Sequence, residues 1–147
     1  MKILIISIGK KHDDMIRSGV LEFEKRLSKE ISLEWKIISS SNIKDEGEKI
    51  LKVVQDTDDL IVLDQKGKTF TTEGFAHHIQ NKLNQSTRRF VFVIGGSYGL
   101  DQSILDKASL VWSLSDLTFP HQLVRLILVE QIYRTFSVLK GGKYHHE

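Results

Sequence analysis

The run at residues 90–94, Phe-Val-Phe-Val-Ile, most constrains the fold, because it is apolar at every position and leads straight into Gly95 and Gly96. A strand with one face in water alternates apolar and polar residues, whereas a strand that is apolar throughout is covered on both faces. Parallel sheets are covered in this way by the helices that connect their strands. The run therefore predicts an α/β protein whose mainly parallel sheet is flanked by helices.

The rest of the chain repeats this alternation of strands and helices. Short apolar runs predict strands at residues 3–8, 33–38, 60–63, 90–94 and 110–114, with a loop at residues 64–68. Thr71 or Thr72 can cap one helix and Asp101 another, and the last helix covers about residues 120–139. A chain of this length, without repeats or linkers, is expected to form one domain, residues 1–147.

Composition excludes several classes of protein. The chain has no cysteine, which excludes disulfides and thiolate metal sites, and this fits a cytoplasmic protein. The longest apolar stretch is interrupted by Arg125 and Glu130, so no membrane span is expected. His77 and His78 are expected to be exposed and lack the spacing of metal ligands, so no metal is predicted. A net charge of +2, with lysines and arginines in loops, fits either simple solvation or contact with phosphates.

The last helix is apolar on two sides. One side forms a broad stripe, and a second patch that includes Leu123 and Ile127 lies opposite it. The protein's own sheet can cover only one of these sides, so the pattern predicts a homodimer through this helix.

Two arginines of the same helix are candidate functional residues. Arg125 falls inside the apolar stripe, where an unpaired guanidinium is costly. It must find a carboxylate, carbonyl groups or an anionic ligand, which leaves open a salt bridge at the dimer interface or a substrate contact. Arg134 can pair with Glu130 four residues earlier, or it can contact RNA.

The candidate ligand site lies where three predicted strands end, because ligands of open parallel sheets bind beyond the carboxyl ends of the strands. These ends are Leu63, Gly95 and residues 114–119. The loop at residues 95–99 lacks the spacing of a dinucleotide fingerprint, and the chain has no P-loop motif. A tight turn without any ligand remains the alternative for the glycine loop.

Several motifs in order resemble one family. They are Phe-Val-Ile-Gly-Gly-Ser-Tyr-Gly-Leu at 92–100, Trp-Ser-Leu-Ser-Asp-Leu-Thr-Phe-Pro-His at 112–121, Leu-Val-Arg at 123–125, Glu-Gln-Ile-Tyr-Arg at 130–134 and the terminal Tyr-His at 144–145. Together with Lys-Ile-Leu-Ile-Ile-Ser-Ile-Gly-Lys at 2–10 and Glu-Phe-Glu-Lys-Arg at 22–26, they resemble the RlmH family of SPOUT-class ribosomal large-subunit methyltransferases. The family tail usually reads Tyr-His-Arg or Tyr-His-Lys, whereas this chain has His146.

The resemblance implies a fold and an activity. The fold is an α/β knot with a C-terminal trefoil, and the protein is a homodimer. The activity is transfer of a methyl group from S-adenosyl-L-methionine to N3 of a pseudouridine in 23S rRNA on the assembled ribosome. Two alternatives remain: a non-enzymatic ribosome-binding or assembly factor with the same fold, and a SPOUT methyltransferase that acts on tRNA.

The resemblance also implies roles for individual residues. The S-adenosyl-L-methionine contacts fall on Leu63, Gly95, Leu114, Ser115, Asp116, Leu117, Thr118 and Phe119. His145 is the expected base for the N3 proton, with Tyr144 orienting it or stacking on the nucleobase. Arg125 and Arg134 are expected to stabilise negative charge on the carbonyl groups of the base or to hold phosphates. The tail is expected to complete the site of the opposite subunit.

Overall fold

A computed structural model describes residues 1–27 and 29–146. In this part of the chain, five strands alternate with five helices. The strands are β1 Lys2–Ile8, β2 Ser32–Ile38, β3 Asp59–Lys68, β4 Arg89–Ile94 and β5 Leu110–Trp112. The helices are α1 Asp14–Arg26, α2 Ile43–Val53, α3 Thr72–Asn84, α4 Gln102–Lys107 and α5 His121–Leu139. A short 3-10 turn, Tyr144–His146, follows α5.

The five strands form one sheet in the order β2-β1-β4-β3-β5, and every neighbouring pair is parallel. Successive residues of β4 point to opposite faces, and both kinds are buried: Phe92 is 2% exposed and Val93 0%. Phe92 belongs to the core under α1, α3 and α5, and Val93 to the core under α2 and α4. The prediction of a mainly parallel sheet flanked by helices is confirmed.

The third strand differs from its prediction. The chain does not turn into a loop after Leu63, because β3 continues to Lys68 with a shift of register against β5. Gly67 makes this extension possible: a Cβ there would lie 2.6 Å from the carbonyl oxygen of Val111. The missing side chain lets the two backbones approach more closely than any other residue would allow.

Smaller differences occur elsewhere in the chain. The strand β5 ends at Trp112, two residues before its predicted end, and Pro120 is the N-cap residue of α5, so the helix itself begins at His121. Thr71 caps α3, since its hydroxyl accepts a hydrogen bond from the amide of Gly74. Asp101 likewise caps α4 through the amide of Ser103.

One histidine of α3 was wrongly expected to be exposed. His77 is exposed, but the ring of His78 is half-buried and lies 5.7 Å from that of Phe70 and 6.3 Å from that of Phe75. Its Nε2 is buried without a hydrogen-bond partner. Burial is the main reason that the pKa of His78 is lowered. The aromatic side chains around this helix face therefore shield the ring from solvent.

The helix α5 packs against α1 and α3. The buried residues on its inner face include Arg125, Leu128, Val129 and Ile132. On the opposite side Leu123 is 38% exposed and Ile127 is half-buried. The two-sided pattern is thus present, while the homodimer and the trefoil knot stay predictions. No helix in the described part of the chain is long and apolar enough to cross a membrane.

Candidate functional site

A cavity of about 1370 Å³ lies at the carboxyl edge of the sheet. Because all strands are parallel, their carboxyl ends meet at this edge, where residues 63–68 of β3 and the loops that follow β4 and β5 surround one space. All eight residues that the family resemblance assigns to the cofactor line it: Leu63, Gly95, Leu114, Ser115, Asp116, Leu117, Thr118 and Phe119. The three strand ends chosen from the sequence are therefore brought together.

The glycine loop forms one wall of the cavity. The amide of Gly99 donates to the carbonyl of Gly96 over 3.1 Å, and the positive φ of Gly99, +83°, closes this turn. A Cβ at Gly95 would lie 2.9 Å from the side chain of Leu100 and 3.2 Å from the carbonyl oxygen of Gly99. The turn leaves Tyr98 88% exposed beside the cavity. This wall therefore presents bare backbone with one exposed aromatic ring.

The loop at residues 114–119 forms the facing wall, and its own serines shape it. The amide of Ser113 donates to the carbonyl of Lys68 over 2.9 Å, which fastens the start of the loop to β3. The buried Ser113 hydroxyl then donates to the carbonyl of Ser115 over 3.0 Å. The Ser115 hydroxyl in turn accepts from the amide of Leu117 over 3.0 Å. These bonds fix the direction of the peptide groups along the wall.

The cavity fits a ligand with a flat apolar ring and several polar groups. Leu63, Ile94, Leu114 and Phe119 supply apolar wall, while the glycine loop and the serine-shaped loop supply backbone donors and acceptors. These residues fit a nucleoside-like group such as the one in S-adenosyl-L-methionine.

Arg125 is enclosed by its own chain and is 0% exposed. Its Nε donates to the hydroxyl of Ser7 over 2.8 Å, and its Nη1 donates to the carbonyl of Lys10 over 2.7 Å. The carbonyl of Ile8 lies 3.5 Å from Nη2, and Nδ1 of His12 lies 3.3 Å from Nη1. The sequence left open a carboxylate, carbonyl groups or an anionic ligand as partners, and of these the guanidinium bonds carbonyl groups. These bonds fasten the loop after β1 to the first turns of α5.

The Arg125 guanidinium bonds carbonyl and hydroxyl groups rather than a carboxylate, and this environment shifts the pKa values of Arg125 and of the neighbouring His12. Burial lowers the pKa of Arg125, and Asp13 offsets this in part. His12 is half-buried with its ring edge-on to Trp35, and burial together with the positive charge of Arg125 lowers its pKa. A lowered pKa keeps His12 neutral, so that its Nδ1 can accept a hydrogen bond from the guanidinium.

The tail folds back along α5. The hydroxyl of Tyr144 donates to Oε1 of Glu130 over 3.1 Å, and Glu130 also forms a salt bridge of 2.7 Å with Arg134. The guanidinium of Arg134 lies 4.6 Å from the centre of the Tyr144 ring. Glu130 raises the pKa of Arg134, and burial followed by the charge of Glu130 raises that of Tyr144. The pairing of Glu130 with Arg134 considered from the sequence is therefore present and anchors the tail.

The expected base, His145, does not reach the cavity of its own chain. Its Nε2 lies 2.7 Å from Oε1 of Glu73, in the first turn of α3, and its Nδ1 is buried without a partner. The pKa of Glu73 is lowered, mainly by the hydrogen bond between its carboxylate and its own backbone amide, and secondly by the bond to His145. Neither Tyr144 nor His145 lines the cavity, and nor do Arg125 and Arg134. The structure thus places the predicted cofactor residues together and the predicted catalytic residues elsewhere.

Four residues that bond the candidate residues were not predicted from the sequence: Ser7, His12, Gln65 and Glu73. Ser7 carried a signal, because it is the polar residue inside the apolar run of β1 and is 0% exposed. The other three carry none that a local pattern reveals. In the described part of the chain, no group of three or more His, Cys, Asp or Glu side chains could hold a metal ion.

A parallel sheet whose strand-end loops surround one backbone-rich cavity is typical of α/β enzymes that bind a small organic ligand. Over residues 1–145 the chain matches the model of a family described as "Predicted SPOUT methyltransferase". The chain belongs to this SPOUT methyltransferase family.

Full-length relatives give the same assignment. Proteins named "Ribosomal RNA large subunit methyltransferase H" are similar to this chain from end to end. The one from Flavobacterium johnsoniae is 41% identical and the one from Parabacteroides distasonis 40%, each with 100% of both chains covered. The one from Streptococcus pneumoniae is 37% identical, with 99% of both chains covered. The family predicted from the motifs is confirmed.

Proposed function

We propose that the protein is an S-adenosyl-L-methionine-dependent methyltransferase that methylates N3 of a pseudouridine in 23S rRNA on the assembled ribosome. One observation carries the proposal: the eight residues assigned to the cofactor by family resemblance surround one cavity, in a chain that is similar along its whole length to ribosomal RNA methyltransferases. An enzyme with this substrate works in the cytoplasm, where ribosomes are.

The cofactor would lie between the glycine loop and the loop at residues 114–119. Leu63, Leu114 and Phe119 would enclose its adenine ring, and the backbone of Gly95, which also lines the cavity, would lie beside the cofactor. S-adenosyl-L-methionine would supply an electrophilic methyl carbon on its sulfonium group. The loops need to fix this group and exclude water, because positioning supplies much of the rate of such a displacement.

The nucleophilic nitrogen must lose its proton when it attacks. N3 of pseudouridine is an imide nitrogen, and His145 would accept this proton, since histidine titrates close to neutral pH. Tyr144 would hold the imidazole or stack on the base. Arg134 would stabilise the negative charge on the neighbouring carbonyl groups.

The position of the tail supports a homodimer. Tyr144 and His145 are docked on α5 and α3 of their own chain and do not line the cavity of that chain. A second copy would supply its tail to the cavity, so each site would combine loops of one subunit with the tail of the other.

Arg125 would act indirectly in this scheme. Its guanidinium is 0% exposed and bonded to the loop after β1, while the neighbouring Val124 and His121 line the cavity. It would therefore position the start of α5, and Arg134 would be the arginine that meets the substrate.

The test is transfer of a labelled methyl group to intact ribosomes, separated large subunits and naked rRNA, with the modified base mapped. We expect label on one pseudouridine of 23S rRNA, and most of it with intact ribosomes. Removal of residues 144–147 should abolish transfer and leave the affinity for S-adenosylhomocysteine unchanged, whereas His77→Ala, at an exposed histidine of α3, should change neither.

Three outcomes would contradict the proposal. Transfer to tRNA alone would identify a different substrate. Binding of S-adenosylhomocysteine without transfer to any RNA would favour the assembly factor. Loss of cofactor binding and of dimers together in the truncated protein would show that the tail is a structural element.

A further inference from the structure

Gln65 joins the two sides of the cavity edge where β3 passes the loop at residues 114–119. Its Nε2 donates to the backbone carbonyl of Asp116 over 2.7 Å. Its Oε1 accepts from the hydroxyl of Thr118 over 3.1 Å. The Asp116 carbonyl can only accept, which fixes the orientation of the amide. Both halves of one side chain are thus used, on partners more than 50 residues away in sequence.

The two bonds of Gln65 matter because they hold the middle of the loop at residues 114–119, whereas the other bond of this loop to β3 is at its start. The loop is fastened to β3 at its start through the amide of Ser113 and the carbonyl of Lys68. Gln65 adds two attachments in the middle, at Asp116 and Thr118, beside Leu117, which is 69% exposed. An exposed segment with a free middle would sample several conformations, and ordering it would oppose ligand binding.

We propose that Gln65 is a positioning residue that holds the loop at residues 114–119 in its cofactor-binding conformation before the cofactor arrives. This rests on the proposed function to the extent that the loop contacts S-adenosyl-L-methionine. Without the two bonds only a fraction of the molecules would present the loop correctly, and the apparent affinity falls in proportion to that fraction. The side chain need not touch the cofactor for this effect.

The variants separate the two bonds. Gln65→Leu removes both, Thr118→Val removes the hydroxyl bond alone, and Gln65→Glu keeps an acceptor for Thr118 but loses the donor to the Asp116 carbonyl. Gln80→Leu is the matched control, because the amide of Gln80 likewise donates to another side chain, that of Asn84 within α3, and neither residue lines the cavity.

Three quantities are measured on the full-length protein: the dissociation constant of S-adenosylhomocysteine by calorimetry, amide hydrogen exchange of residues 114–119 without ligand, and the thermal midpoint. Gln65→Leu should weaken binding about threefold to tenfold, which is the range for losing exposed hydrogen bonds. It should speed exchange in the loop and lower the thermal midpoint by about 1–6 °C, because the bonds that order the loop also stabilise the folded state. Gln80→Leu should change none of the three.

The double variant Gln65→Leu with Thr118→Val gives the sharpest result. If the two side chains act as one attachment, loop exchange without ligand is no faster in the double variant than in Gln65→Leu alone. Fully additive increases in that exchange, or a Gln65→Leu protein with unchanged affinity and unchanged loop exchange, would overturn the inference. If wild type fails to bind S-adenosylhomocysteine, the proposed cofactor is wrong, and loop exchange in the unliganded variants still decides whether Gln65 holds the loop.

Discussion

Replacing Arg125 by methionine separates a structural role of this residue from a catalytic one. Methionine keeps an unbranched apolar stem, although a shorter one, and removes the charge and every donor. The side chain is 0% exposed, and its strongest bonds go to Ser7 over 2.8 Å and to Lys10 over 2.7 Å. The change therefore acts on the junction between the end of β1 and the start of α5.

Two opposing terms set the magnitude. A buried polar group left without a partner costs about 1–3 kcal/mol, which applies to the Ser7 hydroxyl, and the bond from the guanidinium to the Lys10 carbonyl is worth about 1.5–3 kcal/mol as a bond to a charged group. The two losses together cost roughly 2–6 kcal/mol. Against this, removing a buried charge with no carboxylate bond relieves desolvation and adds apolar burial, which offsets about 1–2 kcal/mol. The unpaired acceptors outweigh the relief, and we expect a net loss of about 2–3 kcal/mol.

The assay is thermal and urea unfolding followed by circular dichroism. For a chain of this size, a loss of about 2–3 kcal/mol lowers the thermal midpoint by roughly 4–12 °C. Arg17→Met is the matched control. Arg17 is also an arginine on a helix, but its side chain is 58% exposed and pairs with Asp14 on the surface, so its loss should cost less than about 1 kcal/mol.

Methyl transfer measured on the same proteins completes the test. If Arg125 acts through the fold, the affinity for S-adenosylhomocysteine and the transfer rate should fall together with stability. A variant that keeps the thermal midpoint of wild type, keeps cofactor affinity and loses only transfer would refute the structural role and restore the substrate contact.

Two further predictions concern the sheet. Gly67→Ala should lower the free energy of unfolding by about 2–3 kcal/mol and weaken S-adenosylhomocysteine binding. The reason is that its Cβ would lie 2.6 Å from the carbonyl oxygen of Val111 and force β5 away from β3. Lys66→Ala on the same strand is the control, and equal melting curves for the two variants would contradict the reasoning. Burial by itself would raise the pKa of Asp58, but the bonds from Arg89 and from the amide of Gln55 outweigh it and the pKa is lowered. Stability from Asp58 is therefore present above the carboxyl's ordinary pKa of about 3.9 and is lost as the pH falls through the lowered value, so Asp58→Asn should unfold with less pH dependence in acid than wild type.

The sequence predicted those parts of the fold that depend on local pattern. The all-apolar run of β4 indicated cover on both faces, and the structure has it in Phe92 and Val93. The caps at Thr71 and Asp101 were predictable because a capping side chain bonds an amide two or three residues away. The order of the strands was not, since β4 lies between β1 and β3 and no local pattern records that position.

The candidate site also has features that the sequence predicted and features that it did not. Its strand ends could be chosen from the sequence because parallel strands bring their carboxyl ends to one edge. The partners of Arg125 could not, since Ser7 lies 118 residues away along the chain. The sequence showed only that a guanidinium in an apolar stripe needs partners. The extension of β3 was missed because Lys66 and Lys68 look like loop residues, while Gly67 provides the close approach to β5.

The outer face of α5 would connect the proposed dimer to the cavity. At 100° per residue, Leu123, Ile127, Glu130 and Arg134 lie along one side of the helix, opposite the buried Arg125. The tail covers the second half of this side by its bonds to Glu130 and Arg134, whereas Leu123 in the first half is 38% exposed. That uncovered half begins beside His121 and Val124, which line the cavity. A second copy packed there would cover the remaining apolar surface and would also lie next to the cavity that lacks a tail. The same contact would therefore cover the apolar face of α5 and bring the tail of one subunit, which we propose to be catalytic, near the cavity of the other.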